Sequence, residues 1–185
     1  MKLLIKVLVP TATLLAGPTQ ASDQKSCPKE GVNSPAELHR AWIMEGWEKK
    51  PGDKKRFAFD KQLGRFYDLD ASGVFYDDFA PDFETAYTPA RYGQIWEGPF
   101  NMMRSALHGL HDEPQAIVGD RVASSTLGFV GRLEARNGEI TAIKSRSQLG
   151  WECSDGRWVI RHEHNSSQIL PEDEIKAYIG RQDKS

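Results

Sequence analysis

The stretch Gly156–Ile169, with the sequence GRWVIRHEHNSSQI, decides how the rest of the chain is interpreted. Its alternation of apolar and polar residues is typical of a β-strand that turns one face toward a core. His162 and His164 lie two positions apart, so both point to the same face of that strand. Whether that face is the inner one decides whether the histidines are candidates for chemistry.

The sequence around this stretch predicts an antiparallel meander. Three long runs of β character follow Gln115, separated by turn residues at Asn137-Gly138 and Asp155-Gly156. Gly128 and Gly131 within one run predict a bulge or a sharp bend, which a curved sheet requires. Because the helical patterns come first and the strands last, the chain is predicted to be an α+β protein.

The two turns fix the predicted strand register, since opposite residues in an antiparallel pair share one face of the sheet. A three-residue loop with Gly138 in the left-handed conformation matches apolar residues across the first hairpin. A two-residue loop at Asp155-Gly156 does the same for the second. The predicted partners are Ala135 with Glu139, Cys153 with Trp158, Trp151 with Ile160, Leu149 with His162, and Ser147 with His164.

This register predicts that both histidines point to the apolar inner face. Small serines beside His164 leave space over it, whereas Leu149 crowds His162, so His164 is the better pocket residue. Three readings stay open for His164: a proton carrier, a passive part of a pocket wall, or a hydrogen-bonded core histidine. The same cross-strand pairing predicts further residues that contact a ligand on the inner face: His162, Ser147, Leu127, Phe129, Ser145 and Ser166.

Helices are predicted on both sides of an irregular segment. Ser34, Pro35 and Glu37 form a capping box that begins a helix expected to reach about Lys50. Residues 69–97 are aromatic and acidic, with one strand expected at Val74–Tyr76 and the aspartates, Asp77 among them, expected in a solvated loop. A second helix is predicted over Phe59–Tyr67. A third starts at Gly98-Pro99, carries Met103 and Leu107 and is expected to end near His108, and a fourth spans Pro171–Ile179.

The first 21 residues, MKLLIKVLVPTATLLAGPTQA, have two lysines, an apolar run and a small-x-small site, Thr19-Gln20-Ala21, that ends at Ala21. That pattern predicts a secretory signal peptide over residues 1–21, and hence a periplasmic or secreted protein. The run is too short, and is broken by Pro10, for a membrane anchor. We expect a linker over 22–34, the folded domain over 35–170, and a short helix and tail over 171–185.

The two cysteines, Cys27 and Cys153, predict one disulfide if the protein is exported to an oxidising compartment. Two free thiols are the alternative, and the CxxC spacing of a redox or zinc site is absent from the sequence. Charge is balanced, with 24 basic and 26 acidic residues and a net charge of −2. Since the basic residues form no stripe, a nucleic-acid partner is not expected.

The order of elements, together with the ending Trp158-x-Ile160-x-His162-Glu163-His164-x-Ser166, resembles the nuclear-transport-factor-like superfamily, and within it the SnoaL-like, ketosteroid isomerase-like branch. The resemblance covers about residues 35–170. It implies a cone-shaped, curved antiparallel sheet wrapped around N-terminal helices, with an apolar pocket inside. It also implies a homodimer and either cofactor-independent isomerase, cyclase or dehydratase chemistry or a non-catalytic binding or dimerisation module.

The expected function is binding of a small, largely apolar molecule, with acid–base chemistry on a carbonyl compound as the enzymatic hypothesis. His164 is the expected proton carrier, assisted by Tyr67 or Asp78, because a histidine titrates near neutral pH. Tyr92 and Trp96 are further candidates for the pocket wall. No cofactor is expected, and no metal either, because HExxH and the regular spacing of a calcium loop are absent from the sequence.

Overall fold

The computed structural model describes residues 25–179. The predicted signal peptide, residues 1–21, lies outside the described residues. No helix within the described part of the chain combines the length and the apolar character that a membrane span requires.

The helices of residues 25–179 lie mainly before the long strands. Ser34 caps the first of them as predicted: its Oγ accepts a hydrogen bond from Glu37 N at 3.4 Å, and Pro35 is the first helical residue. The α-helices are α1 (Pro35–Ala41), which continues into a π-helical turn at Trp42–Gly46, α2 (Phe59–Gln62), α3 (Pro89–Met102) and α4 (Glu172–Ile179).

The predicted helix start at Gly98-Pro99 was wrong. Helix α3 begins ten residues earlier, where Thr88 Oγ1 accepts a hydrogen bond from Arg91 N at 3.2 Å and Pro89 occupies the first turn. Pro99 lies inside the last turn of this helix, and the chain changes to β-structure at Met103. His108 therefore lies on a strand instead of at a helix end.

Six strands form one curved, unclosed sheet in the order β1-β6-β5-β4-β2, with β3 paired to the other end of β4. The long strands are antiparallel as predicted, but β1 runs parallel to β6, so the sheet is mixed. The strands are β1 (Val74–Asp77), β2 (Met103–Leu110), β3 (Gln115–Val118), β4 (Val122–Ala135), β5 (Ile140–Ser154) and β6 (Arg157–Leu170).

The register between β4 and β5 was predicted correctly. Gly138 has the left-handed conformation, with φ of +86°, and Ala135 N donates to Glu139 O at 2.8 Å across the three-residue loop. Ser125, Leu127 and Phe129 face Leu149, Ser147 and Ser145 on the inner side of the sheet.

The register between β5 and β6 was predicted correctly only near the turn. Trp151 lies opposite Ile160, but Gly150 lies opposite His162, so Arg161 is an extra residue in a β-bulge. Glycine suits this site because a Cβ on Gly150 would come within 3.0 Å of His162 Cβ. Beyond the bulge, each side chain of β6 points to the face opposite to the predicted one.

The predicted inward orientation of His162, His164 and Ser166 was therefore wrong. These three residues are exposed on the outer face of the sheet, where the ring of His164 packs edge-on against Tyr76 at 5.2 Å between centroids. Glu163 and Asn165 point inward instead and are buried.

The predicted disulfide between Cys27 and Cys153 is present, with Cα atoms 5.7 Å apart. It ties the segment before α1 to the end of β5, where both cysteines are buried. Trp158 Nε1 also donates to Pro28 O at 2.7 Å. The predicted linker is thus attached to the sheet at Cys27 and Pro28.

Candidate functional site

A cavity of about 210 Å³ lies between the helices and the inner face of the sheet. Most of its wall is aromatic or aliphatic, so it favours a ligand that is mainly apolar. The apolar wall consists of Trp42, Ile43, Trp47, Phe79, Trp96, Pro99, Phe100, Met103, Phe129, Leu133 and Ile143. The polar residues of the wall are Asp77, Tyr92, His108, Ser145, Asn165 and Ser167.

Asp77 places a titratable carboxyl in this apolar wall. The parallel pairing of β1 with β6 sets Asp77 opposite Asn165. Phe79 N donates to Asp77 Oδ1 at 2.8 Å, and Asn165 Nδ2 donates to Oδ2 at 3.1 Å. Burial raises the pKa of Asp77 to about 6, and these two hydrogen bonds oppose part of that rise.

His108 is another titratable residue in the cavity wall. It lies on the inner face of β2, opposite Gly131 of β4, with its ring against Phe129. Its Nδ1 is 3.2 Å from Glu48 Oε2, and the same oxygen accepts a hydrogen bond from His108 N at 3.0 Å. Glu48 therefore fixes the ring through Nδ1, and Nε2 is the ring nitrogen that takes no part in this contact.

Glu163 forms a fully buried polar cluster behind the cavity wall. Its carboxyl accepts hydrogen bonds from Tyr67 Oη at 2.5 Å and from Tyr92 Oη at 2.6 Å. Trp42 Nε1 donates in turn to Tyr67 Oη at 2.9 Å. The glutamate is completely shielded from solvent, and each of its oxygens has a donor, as a buried acid requires.

Burial is also the main influence on the pKa values of this cluster. It raises the pKa of Glu163 to about 7, although the tyrosine hydrogen bonds favour the ionised form. The pKa values of Tyr67 and Tyr92 lie well above their usual value, first because of burial and then because of the charge on Glu163. Both tyrosines therefore remain hydrogen-bond donors at neutral pH.

Asn165 joins the buried cluster to the cavity. Its Nδ2 donates to Glu163 Oε1 at 2.8 Å as well as to Asp77 Oδ2. Tyr92 also belongs to both, since it donates to Glu163 and forms part of the cavity wall. The cluster thus holds two polar wall residues in place and, through Asn165, positions Asp77.

The predicted site residues separate into groups. Tyr92, Trp96, Phe129 and Ser145 line the cavity. Tyr67, Leu127 and Ser147 are buried but are not part of its wall. Asp78 accepts a hydrogen bond from Ser167 N at 2.7 Å and so joins the β1 end to β6. His162, His164 and Ser166 lie outside, as described above.

Sequence reasoning missed Asp77, His108, Glu163 and Asn165. Asp77 was assigned to a solvated acidic loop, and His108 to the end of a helix that starts elsewhere. Thr88-Pro89 could have identified the true start of α3, and with it the strand that carries His108. Within residues 25–179, no three His, Cys, Asp or Glu side chains are grouped so that they could hold a metal ion.

Solved structures with the same architecture include three that superpose over most of their own length. One is a Xanthomonas campestris protein described as a calcium/calmodulin dependent protein kinase II association domain (18% identity, 82% of this chain and 96% of that chain, TM-score 0.52). An NTF2-like protein of unknown function from Pseudomonas putida shares 18% identity over 75% of this chain and 89% of its own, with a TM-score of 0.52. A type 2 hexachlorocyclohexane dehydrochlorinase shares 12% identity over 73% and 85%, also with a TM-score of 0.52.

The sequence matches no protein-family model and has no significant match among curated proteins. At these identities the structural similarity shows the fold, and the chain has the α+β cone of NTF2-like proteins. Since one fold supports many functions, function has to be argued from the cavity.

Proposed function

We propose that the protein binds a small, largely apolar carbonyl compound in the cavity and catalyses proton transfer on it without a cofactor. Asp77 is the proton acceptor, and His108 is the second proton-transfer group. They replace His164, Tyr67 and Asp78 in these roles, since none of those three lines the cavity. The observation that carries the proposal is the carboxyl of Asp77, with a pKa of about 6, in a mainly apolar cavity that His108 also lines.

The chemistry follows from the surroundings of these two groups. A base with a pKa near the working pH is ionised yet still basic enough to take a proton from carbon next to a carbonyl. Low polarity strengthens the interaction of His108 with a charge that develops on the carbonyl oxygen. The hydrogen bond between His108 and Glu48 holds the ring ready for that contact. Each positioned group contributes about 10²–10⁴-fold to the rate.

Export and self-association belong to the same proposal. The disulfide between Cys27 and Cys153 supports an oxidising compartment, in line with the signal peptide expected from the sequence. Similarity in fold to a protein described as an association domain supports a homodimer. A binding module that uses the same cavity without turnover is the alternative, and the next experiment distinguishes it.

Proton abstraction is testable without knowledge of the natural substrate. The protein is incubated in D₂O with a panel of small cyclic and open-chain ketones, and loss of the proton next to the carbonyl is followed by NMR. We expect Asp77→Asn to slow the exchange of a responsive ketone by about 10²–10⁴-fold while binding persists. Asp70→Asn, a matched change at an exposed residue outside the cavity, should leave the rate unchanged.

Wild-type exchange should rise as the pH increases through about 6, because Asp77 accepts a proton only when ionised. If ketones bind but exchange proceeds equally in Asp77→Asn and wild type, catalysis at this site is excluded and the binding module is supported. If no ketone of the panel binds, the proposed ligand class is wrong.

A further inference from the structure

A cleft lined by basic residues lies next to the cavity, where α3 passes directly into β2. Six of its side chains are cationic and two, Asp53 and Glu97, are acidic. This local excess of positive charge contrasts with the net charge of −2 of the whole chain. The cationic residues are Lys49, Lys54, Lys55, Arg56, Arg104 and Arg136.

Most of this positive charge is not neutralised within the described chain. Arg104 forms a salt bridge with Glu134 at 2.9 Å, whereas the other five cations form none with residues 25–179. Glu97 and Asp53 offset part of the positive charge, and both also accept backbone hydrogen bonds, Glu97 Oε1 from Phe59 N and Asp53 Oδ1 from Lys55 N, each at 2.9 Å. Clusters of unpaired cations at a cleft are the usual recognition element for anionic oxygens.

Lys49 forms the floor of the cleft and is only 8% exposed. Its Nζ donates to Met103 O at 2.7 Å and lies 3.4 Å from Phe100 O, so the ammonium is held in position. Burial lowers the pKa of Lys49 and the nearby positive charge of Arg136 lowers it further, while the negative charge of Asp53 opposes part of this fall. An anion in the cleft would relieve this repulsion.

The cleft and the cavity share a wall. Met103 lines both of them. Phe100 lines the cavity, and Lys49 Nζ lies 5.9 Å from the centre of its ring. The apolar surface of the cavity and the ammonium and guanidinium groups of the cleft therefore lie on either side of Met103.

We propose that the molecule bound by this protein is an anionic amphiphile, whose apolar body occupies the cavity and whose carboxylate or phosphate group occupies the basic cleft. This inference rests on the proposed ligand binding in the cavity and adds the charge of the ligand. Lys54, Lys55 and Arg56 are exposed and supply mobile partners for the anionic group, and Lys49 supplies a fixed one.

The test compares octanoate, octyl phosphate and octanol, which share one chain and differ in the head group, by titration calorimetry at low ionic strength. We expect both anions to bind about tenfold or more tightly than octanol. The advantage should shrink in about 0.5 M NaCl, because salt screens exposed charges. Whichever of the two anions binds more tightly identifies the preferred head group, carboxylate or phosphate.

Two double variants locate the charge effect. Lys54→Glu/Arg56→Glu should remove the advantage of the anions and leave octanol binding unchanged. Lys144→Glu/Arg121→Glu makes the same change in net charge at exposed residues outside the cleft and cavity, and should retain the advantage.

Each other outcome has a separate meaning. Equal binding of octanol and octanoate overturns the anionic head group while leaving the apolar cavity supported. An equal loss of anion binding in both double variants also overturns it, since the effect would then be general electrostatics. If none of the three compounds binds, ligand binding in the cavity fails together with this inference.

Discussion

Replacing Glu163 by leucine should lower the free energy of unfolding by about 3–5 kcal/mol, measured by urea denaturation near neutral pH. The carboxyl is the shared acceptor for Tyr67, Tyr92 and Asn165. Leucine leaves these three donors buried around a side chain that cannot accept. Each orphaned polar group costs about 1–3 kcal/mol, and Asn165 retains its second acceptor on Asp77.

The matched control removes the donors together with the acceptor. In a Glu163→Leu/Tyr67→Phe/Tyr92→Phe variant the cluster is apolar, so we expect much of the lost stability to return. A triple variant that is less stable than Glu163→Leu alone would show instead that the loss comes from packing. Glu163→Gln keeps an acceptor and should cost less than leucine does.

The same cluster predicts how stability depends on pH. Burial raises the pKa of Glu163 from 4.5 to about 7 and that of Asp77 from 3.8 to about 6. The folded protein therefore binds protons that the unfolded chain has already released, and both groups reduce stability as the pH rises from about 4 to about 7. Urea titrations across this range should show a flatter decline for Glu163→Gln than for wild type. Parallel curves would contradict the raised pKa of Glu163.

The turns explain why much of the sheet was predictable from sequence. Gly138 at φ +86° and Gly156 at φ +83° occupy left-handed positions that other residues rarely adopt. Because the turn at Gly138 fixes the register of its hairpin, the cross-strand neighbours of Leu127 and Phe129 were predicted correctly. The two cysteines were predicted to pair, and they do.

The site was missed because a single bulge inverts the faces of the strand that carries it. Arg161 is the extra residue, and its side chain donates to Glu152 Oε2 at 2.5 Å on the partner strand. The contact between Arg161 and Glu152 and the close approach of Gly150 to His162 form only in the folded sheet. The alternation of apolar residues in the sequence does not encode them. Glu163 was consequently predicted to face solvent, although in the folded protein two tyrosines distant in sequence donate hydrogen bonds to its carboxyl.

The wrong start predicted for helix α3 arose from a conflict between two local sequence patterns. Pro99 is typical of a helix start, but Thr88-Pro89 has the same chemistry and a cap that forms. Pro99 is accepted inside α3, in its last turn. Because the helix starts earlier, His108 lies on the inner face of β2 instead of at a helix end. The sequence analysis therefore missed the second proton-transfer group of the proposed reaction.

Removing the disulfide should cost about 4–5 kcal/mol of unfolding free energy. Cys27 and Cys153 are 126 residues apart, and a cross-link over so long a loop removes much of the conformational freedom of the unfolded chain. The measurement is urea denaturation of Cys27→Ala/Cys153→Ala beside the oxidised wild type, followed by two spectroscopic probes whose coincident transitions confirm that each protein unfolds in one step.

A matched control separates the cross-link from the contacts of the segment it anchors. Lys29→Ala removes the exposed ion pair that this segment forms with Asp120 and should leave the free energy of unfolding almost unchanged, because solvent screens such a pair. Hydrogen exchange on the cysteine-free variant should show whether the loss is global. If protection falls only near residues 25–34 and the urea midpoint is unchanged, the bond merely fastens a peripheral segment. An equal fall in protection throughout β4, β5 and β6 would agree with the entropic account, because a cross-link acts on the unfolded state and so on every amide that exchanges through global unfolding.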